Sequence, residues 1–222
     1  MLDNSTSLTA NLRQVKDAAI SLINNMTSGQ QIALYDFSEN TNLIQDFTSD
    51  KSVLINAVNS IPNGYATTDL YGAAATGLTR WDDSYATTNI EQGALIIVTD
   101  GSDTQGKHTL ADVLNAKGSK RVYTIGLGSE IDPQALRQIG SSGFFQVSDI
   151  SQLTEQFNKI QTEVSNYSNS FYWLNYMSPK RGDFNHTLTL SIKNNPNVGS
   201  SATIINGFNS KDFYSVSSRK RR

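Results

Sequence analysis

The sequence contains no cysteine, four prolines and two histidines in 222 residues. Without cysteine there can be neither a disulfide framework nor a thiolate metal site, and nothing indicates a redox compartment. Two histidines, His108 and His186, are too few for an ordinary transition-metal centre. No apolar run reaches the length of a membrane helix, and no basic-then-apolar leader opens the chain. Charge is nearly balanced, with 18 Lys and Arg against 20 Asp and Glu, for a formal net charge of −2. That balance gives no electrostatic case for nucleic acid as a partner. Membrane insertion is likewise not expected of this segment.

What is present is an α/β rhythm. Gln31 to Phe37 reads as a buried strand, and Thr41 to Phe47 alternates apolar and polar residues after a Glu39-Asn40 turn. Ala94 to Val98 is the most apolar run in the chain, as expected of a strand covered on both faces. Arg121 to Ile125 and Phe144 to Val147 follow as further strands. Between them, helical spacing predicts helices over Leu8 to Met26, Lys51 to Ser60, Leu70 to Trp81, Leu110 to Lys117, Pro133 to Ile139 and Ile150 to Tyr167. Strands alternating with helices predict a doubly wound, mostly parallel sheet flanked by helices. Beyond residue 168 the character changes. Ser170 to Met177, His186 to Ile192 and Ala202 to Asn206 read as strands of a small β extension ending in the basic tail Arg219 to Arg222. The expected division is therefore 1–168 and 169–222.

Three loops carry chemistry. Asp3-x-Ser5-x-Ser7 sets one carboxylate and two hydroxyls at alternate positions between a strand and a helix, where they can converge on a small hard cation. The plainer reading of the same residues is that Ser7 caps the helix. Tyr65 to Tyr71 holds two adjacent threonines, Thr67 and Thr68, before a helix. Thr99-Asp100-Gly101 places a carboxylate at the carboxyl end of the apolar strand, where open α/β sheets bind ligands. Gly101 to Lys107 also spells G-x-x-x-x-G-K, the start of a phosphate loop, but His108 stands where Ser or Thr should follow. Arg181-Gly182-Asp183 lies between two predicted strands, where Gly-Asp suits a turn.

Taken in order, Asp3-x-Ser5-x-Ser7, Thr68 in T-x-L-Y and Thr99-Asp100-Gly101 resemble the metal-ion-dependent adhesion site of von Willebrand factor type A domains. Tyr123 to Gly128 and Ser142 to Phe145 are similar to bacterial, surface or secreted members. The resemblance implies Mg²⁺, or Mn²⁺ or Ca²⁺ in its place, held by Ser5, Ser7 and Thr68, with Asp3 and Asp100 reached directly or through water. It implies a protein partner that presents an Asp or Glu carboxylate, no enzymatic reaction, and an extracellular, cell-surface or periplasmic location. The alternative is a nucleotide- or metal-dependent hydrolase built on the Gly101 to Lys107 loop.

The resemblance carries one further expectation. The strand that delivers Asp3 should lie mid-sheet, yet only Met1 and Leu2 precede it. Such a strand usually brings about five residues, each worth roughly 1.5–3 kcal/mol when buried. The sequence thus predicts a truncated central strand completed by upstream residues, or a vacancy filled by a later strand such as Ala202 to Asn206.

Overall fold

The structure is a computed structural model that describes residues 1–86, 89–171, 177–190 and 204–213. Contacts divide the chain into two units, Met1–Tyr172 and Trp173–Arg222.

In the first unit, β1 (Leu2–Asp3), β2 (Ile32–Phe37), β3 (Thr41–Thr48), β6 (Ala94–Thr99), β7 (Arg121–Leu127) and β8 (Gly143–Val147) form one sheet in the order β3-β2-β1-β6-β7-β8. Every pairing is parallel except β2 with β3. Between β3 and β6 the chain makes a two-stranded hairpin, β4 (Ser84–Tyr85) with β5 (Ile90–Glu91), absent from the sequence reading. Apolar residues alternate in direction along the buried strands and so feed two cores. Val98, Tyr123 and Ile125 pack with α1 (Leu12–Asn24), α2 (Lys51–Ser60) and α6 (Leu153–Ser168) on one face. Leu95, Ile97 and Val122 pack with α3 (Leu70–Leu78), α4 (Leu110–Lys117) and α5 (Pro133–Ile139) on the other.

The central position holds a short strand rather than a gap. Leu2 pairs with Asp36 and Val98, and Asp3 with Phe37. Met1 extends the contact, its ammonium donating to the Ile96 carbonyl at 2.8 Å and its carbonyl accepting from Val98 N–H at 3.1 Å. The suggested substitute does not enter this sheet: β10 (Ile204–Asn209) pairs antiparallel with β9 (Asn185–Leu190) in the second unit. Small residues let α3 approach the short strand. A Cβ on Gly77 would meet Met1 Sδ at 2.7 Å and Leu95 Cδ1 at 2.8 Å.

Three helices differ from their predicted spans, the last because a 3-10 turn over Ile150–Gln152 precedes α6. The first is broken at Asn11, with a 3-10 turn over Thr6–Ala10 before α1. Its tighter winding is visible in Leu8 N–H to Ser5 O and Asn11 N–H to Leu8 O, both three residues apart. The third stops at Leu78, short of Trp81. In the second unit, Gly182 adopts φ +82 in the Arg181-Gly182-Asp183 turn, and the Arg181 guanidinium donates to its own loop at Ser178 O. Of the expected extension, residues 172–176, 191–203 and the basic tail 219–222 lie outside the described residues.

Candidate metal centre at the carboxyl edge of the sheet

Strand order reverses at β1, whose chain neighbour β2 lies to one side and β6 to the other. The crevice above such a reversal is where open sheets bind ligands, and two of the three predicted loops leave β1 and β6 there. Asp3 is fully buried. Its Oδ1 accepts the Ser5 N–H at 2.8 Å, and its Oδ2 accepts the Thr99 hydroxyl at 2.6 Å. Ser5 Oγ and Ser7 Oγ lie 3.0 Å apart, and Ser7 Oγ donates to Asp100 Oδ1 at 2.9 Å. The helix-capping reading of Ser7 therefore fails, because its hydroxyl crosses to β6 instead of turning back to its own turn.

The third loop closes on the same place. Thr68 is buried, and a Cβ on Gly101 would stand 3.9 Å from its Oγ1. Thr68 N–H donates to Thr104 Oγ1 at 2.8 Å while Thr68 O accepts from Thr104 N–H at 2.9 Å, so the 101–108 loop clamps this residue. Thr67 instead bonds outward to the Gln105 amide. Of the two adjacent threonines, Thr68 is the one turned toward Gly101.

Two carboxylates close together out of water are costly while ionised. Burial pushes the Asp3 carboxyl up to about 6, the nearby Asp100 charge adds to the rise, and hydrogen bonds from Ser5 and Thr99 oppose it. Asp100 is also raised, first by burial, with the Ser7 hydroxyl opposing. The consequence has a definite sign. A carboxyl that titrates higher in the folded state than its unfolded value of 3.8 binds its proton more tightly when folded, so stability falls as pH rises through that interval. In EDTA, the parent should lose about 2 kcal/mol between pH 4 and pH 6.5 relative to Asp3→Asn, most of the effect of a shift of about two pKa units. Paired melts of the two proteins across that range check it; parallel curves would remove the ionised Asp3 as a source of strain.

The donor set fits a hard divalent cation. All five predicted residues offer oxygen only, two carboxylates and three hydroxyls, which is the chemistry Mg²⁺, Mn²⁺ and Ca²⁺ prefer. Among the described residues no three His, Cys, Asp or Glu side chains come together, so hydroxyls make up the difference in donor number. Sequence reasoning missed Thr99 as the group that orients Asp3 and Thr104 as the group that orients Thr68. Thr99 was legible as part of the 99–101 motif; no local signal marks Thr104.

The 101–108 loop does not form a phosphate cradle. Gly101 N–H is bonded to Thr99 Oγ1, Thr104 N–H to Thr68 O, and Gly106 N–H to Asp103 Oδ2. Lys107 Nζ reaches back to Glu39 O at 3.1 Å. Three of the loop's amides and its lysine are thus engaged within the protein.

The sequence profile of the von Willebrand factor type A domain matches residues 1–159. The chain belongs to that family. Type A domains are in general metal-dependent protein-interaction modules rather than enzymes. Among solved structures, this type A domain is similar to a von Willebrand factor type A protein from Catenulispora acidiphila, with TM-score 0.61, 19% identity, and coverage of 72% of this chain and 40% of that one. It is similar to proximal thread matrix protein 1 from the mussel byssus with a zinc-occupied adhesion motif, at TM-score 0.60 and 19% identity over 73% of this chain and 44% of that one. A third likeness is to the vWF domain of the type V pili tip protein Mfa5 from Porphyromonas gingivalis, at TM-score 0.60 and 12% identity over 78% of this chain and 96% of that one. The type A domain thus spans less than half the length of the first two. No curated protein matches it.

Proposed function

We propose that this type A domain is a Mg²⁺-dependent, adhesion-type binding module that captures an Asp or Glu of a partner protein. The observation that carries the reading is the Ser7 to Asp100 hydrogen bond, which draws the Asp3-x-Ser5-x-Ser7 loop and the end of β6 to one point. Ser5, Ser7 and Thr68 would hold the ion by their hydroxyls, with Asp3 and Asp100 holding it or orienting its waters. A cation there supplies a coordination position open to one more oxygen donor. Because three of the five protein donors are neutral, the site keeps positive potential toward an incoming carboxylate. The residues around it contribute rigidity: Thr99 and the Ser5 amide fix both oxygens of Asp3, and Thr104 fixes the backbone of Thr68.

An enzymatic role has less to support it, since the type A family is in general one of interaction modules and His108, set 3.7 Å from Asp69, is exposed. Zinc occupies the motif in the mussel protein, but an all-oxygen donor set favours Mg²⁺, Mn²⁺ or Ca²⁺. We place the protein outside the cytoplasm, at the cell surface, secreted or periplasmic. The pili tip and byssus proteins it resembles lend support.

The test is capture of a partner with and without metal. Binding should appear with Mg²⁺, vanish in EDTA, and be lost when one Asp or Glu of the partner is replaced by Ala. Lys107→Ala should leave it unchanged. Calorimetric titration with Mg²⁺, Mn²⁺, Ca²⁺ and Zn²⁺ ranks the ions. Partner binding that survives EDTA, or ATP turnover that disappears in Lys107→Ala, would overturn the proposal.

A further inference from the structure

On the far side of β1 from β6, a cleft of about 480 Å³ opens between the β2–β3 turn and the 61–65 loop. That is within the roughly 300–1,000 Å³ of small-molecule sites. Its lining is unusual in chemistry: the side chains of Asn4, Ser38, Asn40, Asn42, Asn63 and Tyr65 surround it, and no charged side chain is among them. Asn40, Asn42 and Asn63 are exposed, and Tyr65 leaves 62% of its surface free.

The amides are held in place from below. Asp36, 1% exposed, accepts the Asn4 amide N–H at 3.1 Å on one oxygen and the Asn42 amide N–H at 2.9 Å on the other. A carboxylate can only accept, so both side-chain carbonyls are turned away from it. Asn4, itself 3% exposed, donates also to Pro62 O, and its Oδ1 meets no donor at all. Buried acceptors are nearly always satisfied. Ser38, also 3% exposed, accepts the Tyr65 N–H, which leaves its own hydroxyl proton for another group. Gly64 lies over these two atoms, where a Cβ would come within 2.5 Å of both Asn4 Oδ1 and Ser38 Oγ.

We propose that this cleft is a binding site for a neutral saccharide. Hydroxyl groups both donate and accept, which matches amides and a serine that offer both at close spacing. Asn40, Asn42 and Asn63 present their amides to ligand hydroxyls at the open surface, and a shift of the Gly64 turn that covers Asn4 and Ser38 would add the Asn4 Oδ1 acceptor and the Ser38 Oγ donor. The exposed Tyr65 ring offers an apolar face with a polar tip, suited to the C–H face of a sugar ring. A carboxylated or phosphorylated ligand finds no cation in the lining, and a wholly apolar one would leave the Asn amides unpaired. The cleft shares no side chain with the metal centre, and the sugar is expected to bind with that centre empty.

The experiment is an amide-resolved NMR titration of the whole chain with neutral hexoses, N-acetylhexosamines and their disaccharides, with glucuronate as the charged comparator. Neutral sugars should shift the amides of Asn40, Asn42, Asn63 and Tyr65, and glucuronate should bind more weakly. Tyr65→Ala and Asn63→Ala alter exposed side chains and should each weaken the sugar about tenfold, the scale of one stacking or hydrogen-bonding contact. Binding should be unchanged in EDTA and in Asp100→Ala, which separates this site from the metal reading. No shift with any neutral sugar, binding indifferent to Tyr65→Ala and Asn63→Ala, or loss of binding with the metal would overturn it. So would Ca²⁺ alone moving the same amides in Asp100→Ala, which would make the cleft a cation site.

Discussion

Asp100→Ala should lower divalent-cation affinity by about a hundredfold or more, at least the upper end of what removal of a metal-site residue's supporting partner costs. Two effects add. The substitution deletes a carboxylate at the centre of the oxygen cluster, and it releases Ser7, whose hydroxyl is held by that carboxylate at 2.9 Å. The fold should survive, because β6 beneath is anchored by Leu95, Ile97 and Val98, which face the two cores and owe nothing to the ion. Without metal the variant should melt within about 1 kcal/mol of the parent, since the change also removes a carboxylate whose ionised form is disfavoured by burial. Ser5→Ala and Thr68→Ala should weaken binding less, each removing one neutral donor. Calorimetry with Mg²⁺ checks all three. Parent-like affinity in Asp100→Ala would show that the five oxygens are not the site.

The second large effect is structural. Phe37 is fully buried at the end of β2, directly opposite Asp3, and packs with Leu70, Ala73 and Ala74 of α3. Its carbonyl accepts the Asn4 N–H at 3.0 Å. Phe37→Ala should cost about 3–5 kcal/mol, the usual range for a core phenylalanine. Against a typical stability of about 5–15 kcal/mol that is a severe loss, and the melting temperature should fall by about 6–20 °C for a domain of this size. Saturating Mg²⁺ should restore part of it, about 2.7 kcal/mol at a hundredfold excess over Kd. A fall of less than about 2 °C would mean that the ring is not a packed wall of this core.

How much of this was legible depended on whether the signal was local. The apolar run ending in Thr99-Asp100-Gly101 announced a buried strand with a carboxylate at its tip, and the spacing of Asp3, Ser5 and Ser7 announced converging oxygens. The 3-10 turn at Thr6–Ala10 was not legible, because Leu8, Leu12 and Val15 satisfy helical spacing whether or not the helix is continuous through Asn11. Within that turn Ser7 makes a contact with Asp100, 93 residues away, that no local pattern announces. The Asn4–Asp36–Asn42 triad was invisible for the same reason: each residue is an ordinary polar one until β1 and β2 are paired. Asp36 also interrupts an apolar strand and reads as a blemish in it, although it is the pivot of the adjacent cleft. The resemblance already preferred Thr68 to Thr67 through Leu70 and Tyr71 of T-x-L-Y, but the Thr104 clamp on its backbone is visible only in the folded loop.

The placement of β1 sets an order of events during synthesis. Leu2 and Asp3 leave the ribosome long before their partners, since Leu2 has its β6 partner in Val98 and Asp3 its hydroxyl partner in Thr99. Until residues 98–100 have followed, Leu2 and Asp3 have only β2 to lie against, and the oxygens of Asp3 and Asp100 cannot meet. Pairings this distant in sequence are closed late, after the local helices and the β2–β3 hairpin have formed. Mg²⁺ would then act on a contact made past the folding barrier. It should leave the rate of folding nearly unchanged and slow the rate of unfolding, serving as a latch on a finished domain rather than a seed for it.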